Sequence, residues 1–344
     1  MNNIINIKSL SKNDLLRFTQ EQALPRYRVQ QLIHWIYQKY VTSIDDITEF
    51  SKELRKKLEG KACISNLGLV RHLHSSDGSE KYLFSLEDGN RIESVLIPDE
   101  NRLTLCISSQ VGCAMGCRFC MTGAGGFIRS LQAHEIVDQI ISVNRILQPR
   151  KVTNLVLMGM GEPFENFDEV VEALWRIVLF LGISKRKITV STAGVVPKIS
   201  LFSQKAPEVN LAVSLNAATD EARSDLMPVN RRYPIESLIA SCKKFPLQPT
   251  RKITFEYVLI RDKNDSQEDA RSLVKMLKGL RCKVNLIPFN PFPGNELKRP
   301  SDQRILSFQK ILLEGHVRAL IRESKGLDIQ AACGQLRASS NLRT

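Results

Sequence analysis

Hydrophobic positions follow two regimes along the chain. Up to about residue 100 they show helical spacing and then alternate; beyond it, short apolar runs take turns with amphipathic stretches. In the first regime Ser11 with Asp14 is a capping signal for a helix over Asp14–Gln20. Pro25 opens a stretch, Tyr27–Tyr40, with Val29, Leu32, Ile33, Ile36 and Tyr37 on one face, and Ser51 caps a third helix through Leu58. The runs Lys81–Leu86 and Arg91–Pro98, separated by Glu87-Asp88-Gly89-Asn90, predict a β-hairpin with glycine in its turn.

In the second regime strands are expected at Leu103–Ile107, Val152–Met158, Lys187–Val190, Val209–Leu215, Ile253–Leu259, Cys282–Pro288 and His316–Ile321. Helical periodicity fills the gaps at His134–Leu147, Phe167–Leu181, Ile235–Lys244, Asp269–Leu277 and Ser301–Leu313. This alternation predicts an α/β fold, with parallel strands and helices outside, either an open doubly wound sheet or a complete or partial barrel. Sites in such folds are built at the C-terminal ends of strands. Ser191, Ser214 and Asn290 fall at or just past those ends, as does Gly159-Met160-Gly161-Glu162-Pro163, where glycine lets backbone approach a ligand and Glu162 can receive an ammonium.

The chain has 344 residues, 43% hydrophobic and 25% charged, enough for a large folded core. No apolar run approaches the ~20 residues that span a bilayer, and Met1-Asn2-Asn3 does not begin a secretory signal. A cytoplasmic protein is expected. Of the net charge of +13, none comes from residues 1–100, which hold 14 basic and 14 acidic side chains; residues 101–344 hold 35 against 22. That asymmetry fits a polyanion-binding face or a solvated surface.

Eight cysteines in a chain without a secretion signal point to metal binding or catalysis more than to a disulfide framework. Three cluster in Cys113-Ala114-Met115-Gly116-Cys117-Arg118-Phe119-Cys120, directly after an expected strand. The Cys-x3-Cys-x2-Cys spacing, with an aromatic before the last cysteine, is that of a radical S-adenosylmethionine (SAM) enzyme. Three thiolates hold three irons of a [4Fe-4S] cluster, and the open fourth iron can chelate SAM; clusters are ordinarily closed by four protein ligands. The competing reading is structural zinc, with Cys106 or His134 as a fourth ligand.

With these motifs in place, the chain from about Tyr27 onward resembles the bacterial RlmN family of radical SAM methyltransferases. The resemblance is carried by Leu105-Cys106-Ile107-Ser108-Ser109-Gln110-Val111-Gly112-Cys113, Gly159-Met160-Gly161-Glu162-Pro163, Ile188-Thr189-Val190-Ser191-Thr192, Asn285 to Gly294 and Asp328-Ile329-Gln330-Ala331-Ala332-Cys333-Gly334-Gln335-Leu336. It implies a partial (β/α)6 TIM-type barrel behind a small helical accessory domain, here residues 1–95 and 96–344. It also implies methylation of adenine C2 in 23S ribosomal RNA, at the peptidyl transferase centre, and in tRNA.

By the same resemblance Cys113, Cys117 and Cys120 hold the cluster, and Gly161, Glu162, Ser191, Ser214, Leu215, Asn216 and Asn290 bind SAM. Cys333 carries the methyl group as S-methylcysteine, Glu93 accepts the C2 proton, and Cys106 resolves the adduct through a transient disulfide with Cys333. Two SAM molecules are consumed per turnover, an electron donor such as flavodoxin is required, and the enzyme is expected as a monomer. Asn216 departs from the family's usual histidine and cannot carry a proton at neutral pH. Arg231, Arg232, Lys298, Arg299, Arg318, Arg322 and Lys325 are candidate phosphate contacts, and Cys63, Cys242 and Cys282 are left as structural thiols. Rival readings are the related Cfr type, which methylates adenine C8, and a non-catalytic RNA-binding protein with a structural metal.

Overall fold

The computed structural model describes residues 4–337. Its N-terminal part holds three short helices, α1 (Lys12–Glu21), α2 (Arg28–Tyr37) and α3 (Lys52–Leu58). The Ser11 hydroxyl accepts from the Asp14 N–H and the Ser51 hydroxyl from the Leu54 N–H, so both serines cap their helices as their sequence position requires. Val29, Leu32, Ile33, Ile36 and Tyr37 are the buried face of α2.

A ten-stranded sheet follows, in unbroken chain order. Its strands are β1 (Gly68–His74), β2 (Glu80–Ser85), β3 (Arg91–Asp99), β4 (Arg102–Cys106), β5 (Asn154–Leu157), β6 (Ile188–Thr192), β7 (Asn210–Ser214), β8 (Ile253–Leu259), β9 (Cys282–Pro288) and β10 (Ala319–Ile321). Strands β1 to β4 pair antiparallel, and from β4 onward every neighbour is parallel. Between successive parallel strands run α4 (Ala133–Leu147), α5 (Phe167–Leu179), α6 (Val196–Lys205), α7 (Ile235–Lys244), α8 (Gln267–Leu277) and α9 (Asp302–Glu314). Six strand-helix units and a short seventh strand therefore build an open barrel, with β1 and β10 as its edges. This is the expected partial (β/α)6 architecture.

The expected division at residues 95 and 96 falls inside β3. That strand pairs with β2 on one side and with β4 on the other, Val95 lying opposite Cys106. Backbone hydrogen bonding thus makes the hairpin part of the barrel sheet.

The helical unit is tied to the barrel through a buried charge pair. Lys8 Nζ lies 2.7 Å from Asp138 Oδ1 on α4 and donates to the Ser65 carbonyl at 2.7 Å. Arg176 on α5 donates to the Lys8 carbonyl. Burial pushes the Lys8 pKa down and the Asp138 pKa up, while their contact opposes both shifts. Replacing Lys8 by methionine leaves a buried carboxylate without its cation. The expected loss is about 3–5 kcal/mol, measured as a lower denaturant midpoint at neutral pH.

Candidate active site

The cysteine loop hangs between β4 and α4 and is pinned at both ends. Gln110–Gly112 and Phe127–Ser130 pair antiparallel across its neck. Gly112 sits at φ +74°, and a side chain there would strike the Gly126 carbonyl. Across the loop the Arg118 N–H donates to the Leu226 carbonyl at 3.0 Å, its guanidinium pairs with Asp225, and Asn295 donates to its carbonyl at 2.7 Å. The three thiols line one cavity of about 160 Å³ at the C-terminal ends of the strands. Burial pushes Cys113 up to about 12 and Cys117 well above the ordinary thiol value, so a bound metal must displace their protons.

The spacing of the sulfurs bears on which metal fits. Tetrahedral zinc bonded at about 2.3 Å would draw thiolates to roughly 3.8 Å of one another. Among the described residues, the three-donor group gathered within 4.8 Å is His72, His74 and Glu80, not the loop thiols. His134 is on α4 facing Asn6 of the helical unit at 3.4 Å, and burial lowers its pKa to about 4. It is no fourth ligand to the loop. Three thiols more widely spaced around one cavity fit a polynuclear cluster.

Gly161, Glu162, Ser191, Ser214, Asn216 and Asn290 line the same cavity, from the ends of four strands, β5, β6, β7 and β9, or the turns after them. Gly161 has φ +99°, and a Cβ there would lie 2.5 Å from the Gln110 Cβ. The Glu162 carboxylate accepts from the Ala193 N–H at 2.7 Å and the Phe164 N–H at 2.9 Å. Burial outweighs these bonds and lifts its pKa to about 7. Asn216, at φ +58°, accepts from the Val258 N–H through Oδ1, while Nδ2 rests 3.2 Å from the Met227 sulfur. Leu215 is the exception: fully buried and absent from the cavity wall, it spends its N–H on the Glu256 carbonyl and its own carbonyl on Arg223.

Cys333 reaches the cavity from the far end of the chain. Its segment docks on the cysteine loop: the Met121 N–H donates to the Gly334 carbonyl at 2.7 Å, and the Thr122 hydroxyl donates to the Leu336 carbonyl at 2.6 Å. Asn290 donates to the Cys333 carbonyl at 3.2 Å and accepts from Ser324 at 2.5 Å, so its side chain is engaged by this segment. Cys333 is exposed, and its exposure opens into the cavity it lines. The protein around it raises its pKa, with Glu256 adding to the desolvation. Cys106, at the end of β4, is buried behind it; burial pushes its pKa far up and the Cys333 charge pushes it further. Glu93, on β3, is held by Lys81 at 3.3 Å and by the Arg337 N–H at 2.8 Å. Neither Cys106 nor Glu93 lines the cavity itself.

Glu256 was not foreseen. It projects into the cavity from the middle of β8, is buried, and accepts from Asn285 at 2.9 Å. Its signal in the sequence is a carboxylate interrupting the apolar run Ile253–Leu259. Arg223 was also missed. Fully buried, it donates to the carbonyls of Ala193, Ser214 and Leu215, tying the ends of β6 and β7 beneath the cysteine loop. The seven basic candidates are all exposed, and Arg299 is paired with Asp302 at 2.7 Å. A larger depression of about 410 Å³ lies between the α6–β7 and α7–β8 connections, and no cysteine lines it.

Comparison with known proteins agrees with this geometry. Residues 5–64 match the family model of the ribosomal RNA large subunit methyltransferase N-terminal domain, and residues 107–274 match that of the radical SAM superfamily. The dual-specificity RNA methyltransferase RlmN of Pelobacter propionicus is 49% identical over 96% of this chain and 95% of its own length. The RlmN of Geobacter sulfurreducens is 48% identical over 98% and 93%. The crystal structure of a radical SAM methyltransferase from Sphaerobacter thermophilus superposes with a TM-score of 0.93 at 42% identity, covering 97% of this chain and 100% of that one. Near-full-length identity of this size, over a barrel that brings a three-cysteine loop and a distant exposed thiol to one cavity, places the chain in the RlmN family of radical SAM RNA methyltransferases.

Proposed function

We propose that this chain methylates C2 of an adenine in 23S ribosomal RNA and of an adenine in tRNA by a relay through two of its own thiols. The observation that carries the reading is the seating of the Cys333 segment on the cysteine loop, through Met121 and Thr122, with an exposed thiol lining the shared cavity. Adenine C2 is an electron-poor ring carbon and offers no nucleophile to an electrophilic methyl group, so a carbon radical is needed there. Cys113, Cys117 and Cys120 would hold a [4Fe-4S] cluster, which together with SAM would supply a 5′-deoxyadenosyl radical.

The protein's own groups do the rest. Cys333, as thiolate, takes a methyl group from one SAM by displacement, then gives up a hydrogen from that methyl group. The resulting carbon radical, still on the sulfur, adds to C2 and leaves the RNA bonded to the protein. Glu93, held between Lys81 and the Arg337 N–H, accepts the C2 proton. The adduct radical gives up one electron, which would return to the oxidised cluster. Cys106, as thiolate, then attacks the Cys333 sulfur. The carbon–sulfur bonding pair leaves with the carbon, which takes a proton to become the C2 methyl group, and the disulfide formed is reopened by cellular reductants. Glu162 orients the SAM ammonium, with Gly161, Ser191, Ser214, Asn216 and Asn290 around it. Because Asn216 has its amide oxygen on Val258, it serves binding and carries no proton.

A base inside folded RNA must leave its stack to reach this cavity, at a cost of a few kcal/mol. The exposed Arg231, Arg232, Lys298, Arg318, Arg322 and Lys325 offset part of that cost through phosphate contacts. A low-potential donor such as flavodoxin supplies the electron, and the chain acts in the cytoplasm as a monomer. Among the described residues no helix is long and apolar enough to cross a membrane. The test is nucleoside mass spectrometry of rRNA and tRNA treated anaerobically with the reconstituted enzyme, SAM and reductant. 2-Methyladenosine is the expected product; 8-methyladenosine, or no methylated adenosine, contradicts the reading.

A further inference from the structure

We propose that His72, His74 and Glu80 form a binding site for a divalent transition-metal ion, Zn²⁺ being the species that suits it, on the edge hairpin and apart from the cysteine loop. His72 and His74 stand two residues apart on β1 and so share a face. The register sets His74 opposite Glu80 and His72 opposite Tyr82, which brings the carboxylate to the same face from β2. One ligand atom from each of the three lies within 4.8 Å of the other two.

The supporting groups orient these donors. Tyr82, fully buried, donates to Glu80 Oε2 at 2.5 Å and stacks under the His72 ring, centroids 4.3 Å apart and planes 19° from parallel. Glu80 Oε2 lies 2.7 Å from His72 Nε2. The Tyr82 contacts are of the kind that fix ring and carboxylate orientation in protein metal sites. The His72–Glu80 pair alone would need no third donor, yet the His74 ring packs 4.2 Å from that of His72. Two imidazoles and a carboxylate are a recurrent zinc donor set, and bonds of about 2.0–2.2 Å require only a modest approach of the exposed His74. His72 and Glu80 are about one-fifth exposed, so water can fill the remaining position.

The face is not that of the catalytic cavity. Ser94, opposite Tyr82, points to Gln139 of α4, whereas the alternate residue Lys81 points to Glu93 and to the Gln330 carbonyl at 3.1 Å. The turn that His74 and Glu80 bracket does hold the Cys333 segment. Ser75 donates to Asp328 at 2.6 Å, the Ser76 N–H donates to the same carboxylate, and the Gly326 N–H donates to Asp77 at 2.8 Å. An ion joining β1 to β2 at this point stiffens the support of the loop that bears the reactive thiol.

The test is zinc uptake by the full-length, iron-loaded protein. Wild type and His74→Ala are incubated with ZnCl₂, freed of loose metal by gel filtration, and assayed for zinc and iron. Wild type is expected to keep one zinc per chain that His74→Ala lacks, at equal iron content, and to bind at least about tenfold more tightly in competition with a chromophoric chelator. His74 is exposed, so its loss leaves the core intact. Equal zinc retention in the two proteins, or zinc gained only as iron is lost, overturns the assignment.

Discussion

Cys333→Ala is expected to abolish RNA methylation, lowering product by about four orders of magnitude or more, as removal of a covalent nucleophile commonly does. The substitution is mild for the fold: the side chain is exposed, and the segment is anchored by backbone groups of Gly334 and Leu336 that alanine leaves in place. Cluster loading should therefore be normal, read as unchanged iron content and visible absorbance. Methyl transfer from labelled SAM to protein should vanish together with product. Methylated RNA at wild-type yield from this variant would remove the relay from consideration. The chain would then have to deliver its methyl group without a protein-bound carrier.

Cys106→Ala should separate the halves of the relay. Methylation of Cys333 needs only that thiol and SAM, so labelled protein still forms. Adduct resolution needs a second sulfur near the first, and the charge environment of Cys106 includes Cys333. RNA is expected to accumulate as a crosslink to protein, visible as a labelled band of raised mass on a denaturing gel, with free product down at least about a hundredfold. Burial favours the protonated form of Cys106. Free methylated RNA at normal yield from this variant would sink the resolving role.

Much of the barrel was readable from the chain because its strands are buried on both faces and so appear as continuous apolar runs. Ile253–Leu259 and Cys282–Pro288 have the expected bounds, as does the helix Ile235–Lys244. β1 escaped notice because it is an edge strand, largely exposed, with Arg71, His72 and His74 among its residues. Helix α6 escaped because only Ile199 and Phe202 are buried along it, too few to set a period. The cysteine loop was legible because its ligands are close in sequence. Cys106, Glu93 and Cys333 were not, since strand pairing and a docked C-terminal segment bring them near one another; family resemblance alone singled them out. Glu256 lay in plain view as a charge inside an apolar strand, and its meaning depended on which face of β8 looks into the cavity.

The carboxylate of Glu162 links occupancy of this enzyme to its folding. An unfolded chain releases that proton near pH 4.5, whereas the folded protein keeps it to about pH 7. Between those values the native state binds more protons, so the group's contribution to stability is full at low pH and is lost as pH rises through 7. At neutral pH and above the free enzyme holds a partly frustrated charge in its interior. A ligand that brings an ammonium to Glu162 relieves it; with SAM in the proposed position, binding draws on free energy that folding left unspent, and the loaded form is expected to be the sturdier one.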